Sequence, residues 1–120
     1  MSVATMTMRT WIPAAVGAIA LLQPALFGPA WAEPAAEVRV TYSNGQFQPG
    51  VVKAPVDKPV VIHVRNLDAK ALEFESTSLR VEKVVAGQSE GIVNVRALKP
   101  GRYEFYDDFN DKARGALIVE

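Results

Sequence analysis

Val38, Val40 and Tyr42 alternate with Arg39, Thr41 and Ser43, the period-two pattern of a half-buried strand, and the pattern stops at the turn pair Asn44-Gly45. Phe47-Gln-Pro-Gly punctuates the chain, and Val51 to Ala54 reads as a short strand bounded by Pro55. The clearest strand follows Pro59. Val60, Ile62 and Val64 fall on one face, with Val61, His63 and Arg65 on the other. Asn66 to Lys70 is a polar connection. Leu72 to Glu75 and Leu79 to Val85 read as extended segments, the second closed by Ala86-Gly87, and Ile92, Val93 and Val95 form the next. After the turn Lys99-Pro100-Gly101, Tyr103 and Phe105 mark a penultimate strand, an acid-rich loop is expected from Asp107 to Gly115, and Ala116 to Val119 closes the chain. About seven short strands with turn residues between them predict an all-β fold, a β-sandwich. A helix fits only between Ala69 and Leu79, where two Ser, a Thr and Phe74 make it weak.

The N-terminal part of the chain breaks this pattern. Arg9 precedes an apolar run from Trp11 to Phe27, and no charged residue stands between Arg9 and Glu33. The run ends at Ala30-Trp31-Ala32, the small-x-small pattern of a signal-peptidase site. A membrane anchor is the alternative, but Pro13 and Pro24 interrupt the run, and a spanning helix needs about 20 consecutive apolar residues. Residues 1–32 are therefore expected to be a cleaved signal peptide, and 33–120 a single exported domain with no membrane span after cleavage. Either outcome puts the domain outside the cytoplasm.

Without that segment the composition changes. All three Met and both Trp are gone, and twelve Lys and Arg face thirteen Asp and Glu. This near-neutral balance gives no reason to expect nucleic acid or an anionic membrane surface as a partner. There is no Cys, so the domain enters an oxidising compartment without disulfides and its β core must hold the fold alone.

Several stretches taken in order resemble a known family. Phe47-x-Pro-x-x-Val52-x-Ala54 leads to Pro59-Val-Val-Ile-His-Val-Arg-Asn66-x-Asp68. Leu72-Glu-Phe-Glu-Ser76 and Leu79-Arg-Val-Glu-Lys83 follow, then Gly91, Leu98-Lys-Pro-Gly-Arg-Tyr-Glu-Phe-Tyr106, and Asp107 to Val119. Together they resemble a cupredoxin-like domain, nearest the small EfeO-type proteins found with bacterial iron-uptake systems. The resemblance covers nearly the whole mature chain and implies a Greek-key β-sandwich in the periplasm. It further implies a metal ion, iron or copper, and a membrane iron permease or periplasmic metal-binding protein as partner.

The same resemblance sharpens the chemistry. Blue-copper cupredoxins end the strand after Pro-Gly-x-Tyr in a Cys, take a His and often a Met from the loop, and take another His upstream. Here Asp107 occupies the Cys-like place, Asn110 the His-like place, and Leu72 or Glu73 the upstream place. Type 1 electron-transfer copper is excluded on ligand count. EfeO-type relatives often read Asp-Phe-His in this loop, so Asn110 departs from them too. What remains is oxygen: Glu73, Glu75, Asp107, Asp108 and Asp111, hard ligands suited to ferric or other hard cations. Glu73 and Glu75 lie two apart and share a strand face. The five acids are either a weak cation site or solvated loop-end acids balanced by Lys112, Arg114 or Arg102.

His63 is the single His, opposite in face to Val60, Ile62 and Val64, and is expected to meet solvent or pack under a loop. A Ser-His-Asp triad would have to use it, and no nucleophile motif or phosphate-binding Gly loop accompanies it. A ferrous oxidase would need a redox copper that these residues barely support. Two readings stand: an accessory metal-binding protein, and a metal-free cupredoxin-fold interaction module.

Overall fold

The computed structural model describes residues 34–120; the expected signal peptide and its cleavage site lie outside them. Among the described residues there are nine strands and no helix. They are β1 (Ala36–Ser43), β2 (Gln46–Gln48), β3 (Val51–Ala54), β4 (Val60–Asn66), β5 (Leu72–Ser76), β6 (Val81–Val85), β7 (Ser89–Val95), β8 (Gly101–Asp107) and β9 (Asn110–Val119). A four-stranded sheet runs β2-β1-β4-β7, and a five-stranded sheet runs β3-β9-β8-β5-β6. β1 pairs with β4 and β3 with β9 in parallel; the other neighbours are antiparallel. The all-β sandwich expected from the alternation is the fold.

Period-two burial builds each layer. In β4, Val60, Ile62 and Val64 are buried, while Val61 and His63 are partly covered and Arg65 is exposed. The Asn44-Gly45 turn joins β1 to β2 with both residues at positive φ (54° and 70°), the left-handed pair that matches strand twist. Phe47 of one sheet meets Phe105 of the other edge-on at 5.0 Å, and Phe74 stacks on Phe105 at 4.8 Å. These rings pin the two sheets together, since aromatic pairs add specific geometry to buried area. Gly115 is required beside them: a Cβ there would lie 2.5 Å from Cε1 of Phe105.

Three expectations change. The acid-rich stretch from Asp107 to Gly115 is no loop: β8 and β9 form a hairpin whose turn is Asp108-Phe109, and pairing resumes at Asp107 with Asn110. Residues 108–112 at the hairpin tip are all exposed, so polar and charged side chains follow one another there without alternation. The segment 77–80 is a turn with Arg80 at φ 60°, so β6 begins at Val81. The punctuating Gln46–Gln48 pairs with β1 as a short edge strand.

Candidate functional site

The pairing register places the ends of β1, β4, β6 and β8 and the starts of β5, β7 and β9 at one pole of the sandwich. Asp107 sits there, with 2% of its surface exposed. Tyr103, Phe105 and Asp107 share one strand face, so the alternation of β8 turns the Asp107 side chain inward. Tyr42 of the opposite sheet donates its hydroxyl to Asp107 Oδ2 at 2.6 Å, and the backbone N–H groups of Glu73 and Phe109 donate to Oδ1, each at 2.9 Å. Three donors meet the buried carboxylate, as a buried acceptor requires. Burial and the bond to Asp107 push the Tyr42 phenol up to about 12, against a lowering by the Asn110 side chain. Asn110 lines the same cleft as Tyr42 and Asp107.

Neighbouring loops are knit around this pole. The buried Asn66 side chain donates to the carbonyls of Lys70, Val85 and Ala86 and accepts from Asp68 N–H. Asp68 in turn accepts from the N–H groups of Asn44 and Gly45, at 2.7 and 2.9 Å. A cleft of about 320 Å³ opens beside Tyr42, Asp68, Lys70, Asp107 and Asn110. The upstream imidazole place holds no donor side chain: Leu72 is buried in the core and Glu73 points outward.

The outward carboxylates gather on the other side of the five-stranded sheet. One oxygen each from Glu73, Glu75 and Asp108 lies within 4.8 Å of the others. The diameter of an oxygen-bound divalent cation site is about 4–5 Å, so the set matches such an ion. The Asp108 N–H bonds to the Glu73 carbonyl at 2.9 Å, which holds the hairpin turn against β5. Register adds Glu82 opposite Glu75 and Tyr106 on its other side. Tyr106 donates to Glu75 Oε2 at 2.6 Å, and the Arg114 guanidinium lies 5.0 Å from the Tyr106 ring centre. Partial burial and the bond to Asp108 raise the Glu73 pKa, and the bond and charge of Glu75 raise that of Glu82. Tyr106 is raised first by its bond to Glu75. Crowded carboxylates favour protons here, and a cation would relieve the same repulsion.

The five acids singled out from the sequence therefore divide. Glu73, Glu75 and Asp108 come together, Asp107 faces the interior, and Asp111 lies exposed on β9, its carbonyl accepting from Arg114 Nε at 3.0 Å. Glu82, Tyr42 and Tyr106 were not singled out. Glu82 needs the β5–β6 register, and Tyr42 lies 65 residues from its partner Asp107. His63 is remote from both groups, on the outer face of the four-stranded sheet with Glu37 Oε1 at 2.7 Å and Glu90 Oε1 at 3.7 Å.

Two packed antiparallel-rich sheets, with the pole formed by the β8–β9 hairpin, define a cupredoxin sandwich whose pole carries oxygen instead of sulfur. The chain belongs to the cupredoxin-like domain family, which matches residues 12–119. An uncharacterized protein of Rickettsia prowazekii (strain Madrid E) is 36% identical over 84 residues, 69% of this chain and 67% of that protein. Among solved structures, the metal-binding domain of the Cu(I)-exporting P-type ATPase CopA of Streptococcus pneumoniae, with Cu(I), aligns at TM-score 0.64 and 14% identity, covering 70% of this chain and 84% of that one. Auracyanin B aligns at 0.62 and 16%, covering 73% and 91%. A purple cupredoxin of Nitrosopumilus maritimus aligns at 0.53 and 16%, covering 71% and 99%. These similarities carry the fold. A type 1 copper site does not fit this chain, which has no Cys and uses Asp107 in a closed hydrogen-bond network.

Proposed function

We propose that this protein is an exported, periplasmic cupredoxin-like accessory protein that binds a hard metal cation as cargo through carboxylate oxygens, without type 1 copper electron transfer. The observation that carries this reading is the convergence of Glu73, Glu75 and Asp108 within 4.8 Å. Oxygen-only donors favour hard cations and disfavour Cu(I), which needs soft sulfur. The choice of iron, with a membrane permease or a periplasmic metal-binding protein as the receiver, draws on the resemblance to EfeO-type proteins. Copper(II) is the second cargo to try, because structural neighbours include copper-binding domains.

The test is calorimetric titration of the exported protein with Mn(II), Cu(II) and citrate-buffered Fe(III). Glu73→Gln and Asp108→Asn should each weaken binding at least tenfold, an effect of about 1.4 kcal/mol for one lost charged ligand. Asp111→Asn and Asp57→Asn should leave it unchanged. Equal binding by parent and Glu73→Gln overturns the reading. A metal-free interaction module would then lead, favoured by the closed network at Asp107 and by Phe109, 60% exposed at the hairpin tip.

A further inference from the structure

The end of the sandwich opposite Asp107 is formed by three loops: residues 55–59, 77–80 and 96–100. They are tied into one surface by hydrogen bonds. Asp57 N–H donates to the Leu98 carbonyl at 2.9 Å, and Arg96 reaches the carbonyls of Leu79 and Ser78 at 2.8 and 3.3 Å. The three loops carry Lys58, Arg80, Arg96 and Lys99 against one carboxylate, Asp57. Arg80, Arg96 and Lys99 are exposed and Lys58 half-exposed, and among the described residues none of the four is paired with a carboxylate. At the edges of this end, Lys53 and Arg102 are paired with Glu120 and Glu104. Glu73 and Asp108 lie towards the other pole, whereas Glu75 and Glu82 line one cleft with Arg80. The chain is neutral as a whole, and the three loops together carry a local excess of positive charge.

We infer that this basic end is a docking surface for anionic phospholipid headgroups, which holds the domain on a membrane surface. One observation favours a lipid plane over a protein partner. None of the exposed large hydrophobic residues, Val51, Leu67, Val84, Ile92 and Phe109, lies in the three loops, so the surface lacks the apolar anchor of a protein interface. The inference rests on the exported location and is independent of the cation site.

Flotation of residues 33–120 with lipid vesicles tests it; the described part of this segment contains a complete two-sheet core. Vesicles of one-third phosphatidylglycerol in phosphatidylcholine should bind the protein at about 10 mM salt, where screening acts over about 30 Å, and release it at about 1 M, where it acts over about 3 Å. Each basic residue near such a surface contributes about fivefold in partitioning, so the triple variant Lys58→Glu/Arg80→Glu/Lys99→Glu should bind more than about 100-fold more weakly. The triple variant Arg65→Glu/Lys70→Glu/Lys112→Glu makes the same change in net charge elsewhere and should keep most of the binding. Equal binding to pure phosphatidylcholine, no salt release by the parent, or equal loss in both variants overturns the proposal. Concentration-dependent self-association without vesicles, abolished by the first variant, would replace it with head-to-tail pairing of two copies. The lipid and salt arms use the parent alone, so misfolding of a variant does not leave the question open.

Discussion

Tyr42→Phe removes one oxygen and should reveal what Asp107 does. The Tyr42 hydroxyl is the single donor to Asp107 Oδ2, the bond is 2.6 Å long, and both residues are buried. Phenylalanine keeps the ring and its edge-on contact with Phe47 at 5.0 Å, so packing is preserved. What changes is that a buried carboxylate oxygen loses its partner, which costs about 1–3 kcal/mol, and more when the group is charged. The adjacent cleft of about 320 Å³ can admit water to the vacated place, which puts the expected loss near the lower half of that range, about 1–2 kcal/mol. In a domain of this size each kcal/mol lowers Tm by about 4–8 °C, so a drop of about 5–15 °C is expected. The assay is thermal and urea unfolding followed by near-ultraviolet circular dichroism. The pH dependence adds a signature. Tyr42 is raised from 10.0 to about 12 in the folded state, so the contribution of its protonated form is complete below pH 10 and is lost as pH rises through about 12. The parent's advantage over the variant should close in that alkaline window. A variant within a few tenths of a kcal/mol of the parent at neutral pH would refute the sheet-to-sheet link and return Asp107 to the pool of free ligands.

Gly115→Ala should lower stability by about 1–3 kcal/mol in urea melts, because its Cβ would meet the Phe105 ring at 2.5 Å; an unchanged midpoint would contradict the aromatic packing. Glu82→Gln should raise Tm at neutral pH. The neighbouring Glu75 raises the Glu82 pKa above its ordinary value, so the parent's folded state is favoured at low pH and loses that advantage as pH rises through the raised value. The variant's gain should therefore shrink as pH falls through that raised value and be gone below the ordinary carboxylate range, about 4.3, and a pH-independent gain would sink the repulsion argument. Processing is the last: intact mass of the protein recovered from the periplasm should begin at or within a few residues of Glu33, and recovery of only full-length chain from membranes would reject cleavage.

The sandwich was legible because its strands obey simple alternation. Val60, Ile62 and Val64 declare the buried face of β4, and Asn44-Gly45 declares a turn whose positive φ values few other residue pairs accept. The acid-rich hairpin was hidden by composition: Asp107-Asp-Phe-Asn-Asp reads as loop, and its pairing partners are supplied by register. A signal did exist. Carrying the inward face of Tyr103 and Phe105 forward by one step sends Asp107 into the interior and Asp108 to the outside. The Tyr42 partnership had no local signal at all, because it is made across the two sheets. Glu82 was likewise out of reach until β5 and β6 were set in register.

That division of the acids bears on how a cupredoxin-like pole is closed without a thiolate. A Cys-to-Asp exchange in a buried position replaces a soft, weakly hydrogen-bonding atom with two oxygens that must be satisfied. Here the Glu73 and Phe109 N–H groups serve one oxygen and the Tyr42 hydroxyl serves the other. The oxygens of Asp107 at this pole are thereby engaged in holding the sheets together. The proposed cation site lies instead among the outward side chains of β5 and the hairpin turn, beside Asp107 in register. There the β5 alternation and the hairpin turn bring oxygens together without burying them. On the proposed reading, carboxylates held at the surface suit cargo that is taken up and released over a resident redox metal.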